Sequence, residues 1–349
     1  MADAQTESNH KAGVLEGGGD ESIVPQTQGL WVRYQGCWLR PLAVQSVKIV
    51  QEQFEARPDD ILLVTYPKCG TTWLKALVFT ITNRFRHAIT GDDHPLLTHH
   101  PQDLVPFLEM PYRQLHPLSD LEKLPSPRLL STHLPVTLLP PCVVTLGCRV
   151  VYLCRSPKDV LVSLWHFIYK VNKNYSIDKA LELFSKGESS YGPIWEHNLG
   201  FWKESISNSD RVLFLKYDEM MAQLVKHVKM LAEFLRVPFT EEEVRCGVVE
   251  EIVHLCSFDK LKSMPVNSSG VSDRIGGEPM ENSSFFRTAK VGDWANYLTE
   301  EMAKKLDGIV EEKLSGLCAS LDAQVESVPL FSERSMYLLV QAKCKSLTI

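Results

Sequence analysis

The feature that most constrains the fold is a strand, a tight loop and a helix in immediate succession. Residues 61–66 form the clearest strand-like apolar run of the chain. The loop Pro67-Lys68-Cys69-Gly70 follows, and residues 71–85 repeat apolar side chains with a helical period. This period places on one helical face Leu74, Leu77, Val78, Ile81 and Phe85.

Three further apolar runs repeat this pattern along the chain. Residues 128–133, 149–155 and 212–217 each resemble a strand, and the last two precede helical patterns. Ser156 with Asp159 predicts a capping box for one helix, and Thr240 with Glu243 predicts the cap of another. This alternation predicts an α/β fold, in which one domain has a central, mainly parallel sheet flanked by helices.

The carboxyl ends of these four runs carry chemically useful side chains. Lys68, His133, Arg155 and Tyr217 each stand at the end of a different run. In open parallel sheets, ligands bind outside the carboxyl ends of the strands. We therefore expect the four side chains to meet at one edge of the sheet, and this convergence is a stronger signal than any single motif.

The loop after the first strand has the composition of an anion site. Gly70 lets backbone N–H groups approach a ligand closely, and the next helix offers unpaired N–H donors. Lys68 adds a positive charge, and Thr71 and Thr72 add hydroxyl donors. The alternative is a plain turn with a surface lysine. Because Lys68 precedes Gly70, the loop resembles a nucleotide-triphosphate loop in architecture but not in detail.

A second anion site is predicted around Arg155. Ser163 follows Arg155 by eight residues, which places it about two turns into the next helix. A guanidinium fork and a hydroxyl so placed can contact one phosphate, although an arginine in a structural salt bridge is the alternative. Arg287 is a third cationic candidate. Two phosphate sites would suit a nucleotide phosphorylated at both ends of its ribose.

Charge and composition limit the partners and the compartment. The 349 residues carry a formal charge of −6, which argues against general binding to nucleic acid or anionic membrane. No run approaches the roughly 20 apolar residues that span a bilayer. Residues 1–22 lack the pattern of a signal peptide, and the nine cysteines form no Cys-x-x-Cys pair. We expect a cytoplasmic protein with a disordered N-terminal tail at residues 1–29.

Several longer segments follow one another in the order of a known family. They are TYPKCGTTWLKAL at 65–77, LVPFLE at 104–109, STHLP at 131–135, YLCRSPKDVLVS at 152–163, WEHNLGFWKES at 195–205 and KVGDWANYLT at 290–299. The chain resembles the cytosolic (soluble) sulfotransferases, and most closely their flowering-plant branch. The resemblance covers residues 30–317 and implies a sulfotransferase fold, similar to P-loop nucleotide hydrolases, in one domain.

The resemblance also implies an activity and a set of site residues. The family transfers a sulfonate group from 3′-phosphoadenosine 5′-phosphosulfate (PAPS), here to a hydroxyl of a small, mostly apolar acceptor. His133 is the implied general base, and Lys68 the implied cation beside the leaving oxygen. The residues implied to contact the 5′-phosphosulfate and adenine of PAPS are Lys68, Cys69, Gly70, Thr71, Thr72 and Trp73. Those implied to contact its 3′-phosphate are Arg155, Ser163 and Arg287, and Tyr217 is implied to contact its adenine. Without the resemblance, His133 is best explained as a core-edge histidine bonded to backbone.

The sequence also indicates which other partners are expected. No metal, nucleic-acid or membrane partner is expected, and a monomer is favoured over a homodimer. Aromatic side chains that could line the acceptor pocket are Trp38, Phe107, Trp165, Phe167, Phe285 and Phe286.

The chain departs from the family pattern at three places. Cys69 replaces the usual serine, and a thiol beside Lys68 at a helix N-terminus is expected to have a lowered pKa and to make activity oxidation-sensitive. Arg287-Thr288-Ala289 replaces the usual Arg-Lys-Gly, which removes a phosphate contact and is costly if Ala289 needs positive φ. The alternative is therefore a weakly active or non-catalytic relative. A P-loop kinase is disfavoured, because the chain lacks the Gly-x-x-x-x-Gly-Lys-Ser/Thr sequence of such enzymes. Residues 318–349 are an atypical C-terminal extension.

Overall fold

A four-stranded parallel sheet lies at the centre of the protein, in a computed structural model that describes residues 31–110, 112–272 and 280–325. Its strands are β3 (Ile61–Thr65), β4 (Leu129–Thr132), β5 (Arg149–Cys154) and β6 (Val212–Lys216), in the spatial order β4-β3-β5-β6. Val64 pairs with Thr132, Thr65 with Leu153, and Cys154 with Lys216. This register brings the carboxyl ends of all four strands to one edge.

The remaining elements surround this sheet. Short antiparallel pairs join β1 (Val32–Tyr34) to β2 (Cys37–Leu39) and β7 (Val271–Ser272) to β8 (Met280–Glu281). The helices of the described residues are α1 (Pro41–Gln53), α2 (Thr71–Asn83), α3 (Pro101–Leu104), α4 (Ser119–Glu122), α5 (Pro141–Thr145), α6 (Pro157–Val171), α7 (Ile177–Ser185), α8 (Ile194–Ser207), α9 (Tyr217–Ala222), α10 (Leu224–Phe234), α11 (Glu241–Arg245), α12 (Val248–Leu255), α13 (Phe258–Ser263), α14 (Pro265–Ser268) and α15 (Glu300–Val325).

The sheet separates two hydrophobic cores, because successive side chains of a strand point to opposite faces. Leu62 and Val64 pack into one core with residues of α1, α6, α7, α8 and α15. Ile61 and Leu63 pack into the other with residues of α2, α10 and α12. All five residues of β3 are buried, as expected for a strand covered on both faces. The predicted α/β architecture with a mainly parallel sheet is therefore confirmed.

Two details of the helices differ from the sequence-based prediction. Phe85 lies beyond the end of α2 and is 68% exposed, because the helix ends at Asn83 before the apolar face reaches it. Ser156 makes no side-chain cap at α6, so the predicted capping box there is wrong. The carboxylate of Asp159 instead accepts hydrogen bonds from the backbone N–H groups of Gly292 and Trp294. The predicted cap of α11 is a complete capping box between Thr240 and Glu243.

The predicted ends of the domain lie at the limits of the described residues. The tail predicted at residues 1–29 lies outside them, as do residues 326–349 of the predicted C-terminal extension. Helix α15 runs through the boundary predicted at residue 317. No helix in the described part of the chain is both long and apolar enough to cross a membrane.

Candidate active site

One large cavity opens at the carboxyl edge of the sheet. Its volume is about 1130 Å³, and it is lined by the side chains that follow all four strands: Lys68, His133, Arg155 and Tyr217. The predicted site residues Gly70, Thr71, Thr72, Trp73, Ser163 and Arg287 line the same cavity. Of the predicted site residues, Cys69 does not line it. The parallel register explains the convergence, since it aligns the ends of four distant segments.

The loop between β3 and α2 has a backbone shape that depends on glycine. Gly70 has φ +101°, and a Cβ at this position would lie 3.1 Å from ring carbons of Tyr217. Lys68 also has a positive φ, of 71°. Helix α2 begins directly after the loop at Thr71, so its unpaired N–H groups lie at the cavity. This local geometry has the properties of an anion-binding helix start.

Lys68 lies in an excess of positive charge. Its pKa is lowered to about 7, because the ammonium is desolvated and because Lys170, Arg287 and Arg155 repel it. Its Nζ lies 3.9 Å from the centroid of the Phe167 ring. Among the ion pairs of the described residues, Arg155 pairs with Asp159 and Arg287 with Asp293, and none involves Lys68. We name Lys68, Lys170, Arg155 and Arg287 the cation cluster. These four cations face two carboxylates, so a bound anion would relieve their mutual repulsion.

Arg155 has both a structural role and an uncommitted donor. Its Nη2 donates to the carbonyl oxygen of Lys290 at 2.7 Å and lies 3.5 Å from Asp159 Oδ2. The guanidinium carbon lies 4.6 Å from the centroid of the Tyr217 ring. The Nε atom is buried and has no partner in the described residues. A buried, unpaired guanidinium N–H is costly, so this donor fits an anionic ligand in the cavity.

The segment around Arg287 supplies a second uncommitted polar atom. Arg287 Nη1 donates to Asp293 Oδ2, and the buried Thr288 Oγ1 has no partner in the described residues. Ala289 has a φ of 54°, so the residue at this position does adopt the left-handed conformation that favours glycine. The Tyr217 hydroxyl donates to the Ala289 carbonyl oxygen at 3.0 Å. Tyr217 therefore links this segment to the loop at Gly70, against which its ring packs.

His133 has the tautomer that a base requires. Its Nδ1 lies 2.6 Å from the carbonyl oxygen of Thr65. Because a carbonyl oxygen only accepts, Nδ1 carries the ring proton and Nε2 keeps its lone pair. The Thr65 hydroxyl lies 3.2 Å from Nδ1 and 2.6 Å from the Thr71 hydroxyl. The imidazole is thus held from behind by β3 while it lines the cavity.

A buried carboxylate fixes the backbone at His133. Glu109 accepts from the His133 N–H at 2.9 Å and from the Thr132 hydroxyl at 2.8 Å, and burial raises the pKa of its carboxyl group. Burial, together with a smaller effect of nearby positive charge on Lys75, His197 and Lys68, lowers the pKa of His133 to about 3. The ring is therefore neutral at neutral pH.

Cys69 differs from its predicted chemistry. The thiol is completely buried, and burial raises its pKa to about 12. Positive charge on Arg155 opposes this rise without overcoming it. The expected low pKa is therefore wrong, and the burial of the thiol argues against the predicted sensitivity to oxidation. Helix N-termini lower a thiol pKa only where the thiolate can be solvated or paired. The Cys69 N–H donates to the Tyr66 carbonyl oxygen at 3.2 Å.

Four supporting residues are among the site residues that were not predicted from the sequence. Thr65 and Glu109 support His133, and Lys75 and Gln102 lie behind the loop at residues 67–70, named here the anion loop after its predicted ligand. Only Lys75 had a local signal, because it shares the buried face of α2 with Thr71 and Val78 at spacings of four and three residues. The other three come from segments whose proximity depends on tertiary folding.

Apolar side chains line the rest of the cavity. Of the aromatic residues predicted to surround an acceptor, Phe107, Trp165, Phe167, Phe285 and Phe286 line it, whereas Trp38 does not. The rings of Phe107 and Tyr191 lie against His133, with centroids 4.9 and 5.3 Å from its centroid. In the described residues, no cluster of three or more His, Cys, Asp or Glu side chains has an arrangement that could hold a metal ion.

Comparison with known proteins gives the family. Residues 58–318 match the sulfotransferase domain family. Cytosolic sulfotransferase 15 of Arabidopsis thaliana is 40% identical over 303 residues, which are 84% of this chain and 83% of the relative. A crystal structure of an Arabidopsis thaliana protein assigned as a steroid sulphotransferase is 39% identical, with a TM-score of 0.67 over 84% of this chain and 91% of that one. A mouse sulfotransferase complexed with PAP is 26% identical, with a TM-score of 0.62 over 86% of this chain and 100% of that one. The chain therefore belongs to the sulfotransferase family.

Proposed function

We propose that this protein transfers a sulfonate group from PAPS to a hydroxyl of a small, mostly apolar acceptor. The relatives are named cytosolic sulfotransferases, and the mouse structure contains PAP, the donor without its sulfonate group. These names also support a cytoplasmic location. The observation that carries the proposal is the placement of a neutral histidine and an only partly neutralised cation cluster in one cavity.

The residues of the cavity fit a doubly phosphorylated nucleotide. Lys68, the loop at Gly70 and the start of α2 would hold the 5′-phosphosulfate, with hydroxyl donors from Thr71 and Thr72. Arg155, through its uncommitted Nε, would hold the 3′-phosphate together with Ser163 and Arg287. Trp73 and Tyr217, whose ring centroids lie 5.3 Å apart, would contact the adenine. The backbone of Cys69 belongs to the same loop.

The chain supplies proton transfer and charge stabilisation to the reaction. When bound, PAPS supplies an activated sulfonate group with a phosphate leaving group. His133 accepts the proton of the acceptor hydroxyl at Nε2, because Nδ1 is already bonded to Thr65. Its low pKa in the free protein is due in part to Lys75 and Lys68, and a bound anion offsets these charges and strengthens the base. Lys68 stabilises the charge that develops on the leaving oxygen.

The apolar walls select the acceptor. Phe107 and Tyr191 lie against His133, so an acceptor hydroxyl that reaches the imidazole would lie in an aromatic environment. Such a pocket favours a flat or compact apolar molecule, in the class of phenols, flavonoids, steroids or hydroxylated hormones. A monomer would suffice for this site, since all of the residues above belong to one chain.

One observation favours a second candidate, a weakly active or non-catalytic relative that binds PAPS or PAP. Ala289 occupies a left-handed conformation, and Thr288 stands where the family pattern has lysine. The first costs backbone energy, and the second removes a positive charge from the proposed 3′-phosphate site.

Transfer of radiolabelled sulfonate to a panel of phenols, flavonoids, hydroxylated steroids and hydroxy acids tests these proposals. We expect transfer by the unchanged protein and by His116→Ala, an exposed histidine that serves as control, and a loss of at least about a hundredfold in His133→Ala. PAP binding without transfer to any acceptor would favour the second candidate. Equal transfer by His133→Ala and the unchanged protein would refute the role of His133.

A further inference from the structure

A buried lysine stands directly behind the anion loop. Lys75 lies in α2, one turn after Thr71, and is completely buried. Its Nζ donates to Oε1 of Gln102 and lies 3.5 Å from the centroid of the Phe107 ring. Burying an ammonium group costs several kcal/mol unless its surroundings compensate. The position of Lys75 therefore calls for an explanation beyond packing.

The ammonium group determines the direction of a chain of hydrogen bonds. An ammonium only donates, so the Gln102 oxygen must face Lys75. The Gln102 Nε2 then faces Thr72 and donates to its Oγ1 at 3.1 Å. Thr72 Oγ1 is an acceptor in this bond, and it makes no other hydrogen bond within the described residues. Its hydroxyl hydrogen is thus left for a ligand, and Thr72 lines the cavity in the first turn of α2.

We propose that Lys75 is a positioning residue that keeps the Thr72 hydroxyl available as a donor to the anion in the loop. This inference rests on the PAPS-binding site proposed above. Without the ammonium, the Gln102 amide can reverse and present its oxygen to Thr72. The Thr72 hydroxyl would then donate to Gln102 instead of to the anion. In this proposal Lys75 acts on the ligand through Gln102 and Thr72.

A double-mutant cycle on PAP binding tests this chain of bonds. Isothermal titration calorimetry measures the dissociation constant of PAP for the unchanged protein, Lys75→Met, Thr72→Val and the double variant. Losing one hydrogen bond to a charged ligand weakens binding by about tenfold, so we expect each single substitution to have an effect of this size. If Lys75 acts through Thr72, the double variant loses no more than Thr72→Val alone.

Three results overturn the proposal. Independent effects that multiply to about a hundredfold in the double variant would show that Lys75 does not act through Thr72. An unchanged dissociation constant in Lys75→Met would show that the lysine is structural. A lack of PAP binding by the unchanged protein would overturn the donor site as well, so failure of the proposed function is distinguished from failure of this inference.

Gln102→Glu keeps the test decisive if Lys75→Met does not fold. The new carboxylate pairs with Lys75, so we expect the urea midpoint of unfolding to be retained or raised. A carboxylate has no hydrogen to donate, so the Thr72 hydroxyl would donate to it and no longer to the bound anion. PAP binding should therefore weaken by at least about tenfold. In a Thr72→Val background the part of this loss that depends on the hydroxyl disappears. An identical loss in both backgrounds, or no loss in either, would refute the inference.

Discussion

The left-handed backbone of Ala289 predicts a substitution that stabilises the protein. Its φ of 54° brings Cβ close to the following carbonyl oxygen, which costs about 1–2 kcal/mol in an L-residue other than glycine. Ala289→Gly removes this strain but gives the unfolded chain more conformational entropy, worth about 0.4–1 kcal/mol. The difference predicts that the free energy of unfolding rises by about 0.5–1 kcal/mol.

Gly292, three residues later, provides the matched control. Its φ is 74°, and a Cβ there would meet no atom within 4 Å, so Gly292→Ala changes the backbone preference without a steric clash. We expect Gly292→Ala to lower the free energy of unfolding by a similar amount, about 0.5–1 kcal/mol. Urea unfolding followed by tryptophan fluorescence measures both changes. A decrease in Ala289→Gly, with no change in Gly292→Ala, would refute the reasoning from φ.

Three further predictions follow from the loop at the cavity. Gly70→Ala should abolish measurable PAP binding, because a Cβ would lie 3.1 Å from the Tyr217 ring at a φ of +101°; calorimetry checks this. Lys68, with a pKa of about 7, is largely neutral at pH 8 and should take up a proton when an anion binds. The binding enthalpy at pH 8 should then depend on the ionisation enthalpy of the buffer, and this dependence should shrink in Lys68→Met. Cys69 should react with thiol reagents far more slowly than the exposed Cys246, since its thiol is buried with a pKa near 12; mass spectrometry of partially labelled protein measures both rates, and faster labelling of Cys69 would contradict its burial.

The strands were predictable because their signals are local and long enough. The first four residues of the run at 61–66 are all aliphatic, and the structure has a strand at Ile61–Thr65. The other three runs are strands whose bounds lie within one residue of the predicted ones. The ends of helices were less predictable. Phe85 continues the apolar spacing of α2, yet it lies past the end of the helix and is exposed.

Interactions between distant segments could not be predicted from local patterns. Asp159 resembles a capping residue in sequence, yet its carboxylate binds backbone N–H groups of Gly292 and Trp294, more than a hundred residues away. The chemistry of Cys69 was predicted wrongly for a related reason. Its sequence neighbours predict an acidic thiol, whereas the tertiary structure removes the solvent that would stabilise the thiolate.

The amino-acid sequence by itself determined the α/β architecture, the family and the set of side chains at the ends of the strands. These follow from apolar periodicity and from motifs that are contiguous in the chain. The tertiary structure alone decided which states those side chains adopt. The tautomer of His133 depends on the Thr65 carbonyl, and the lowered pKa of Lys68 depends on burial and on three cations from other segments. Burial and hydrogen-bond direction arise only when distant segments pack together, so no local pattern encodes them.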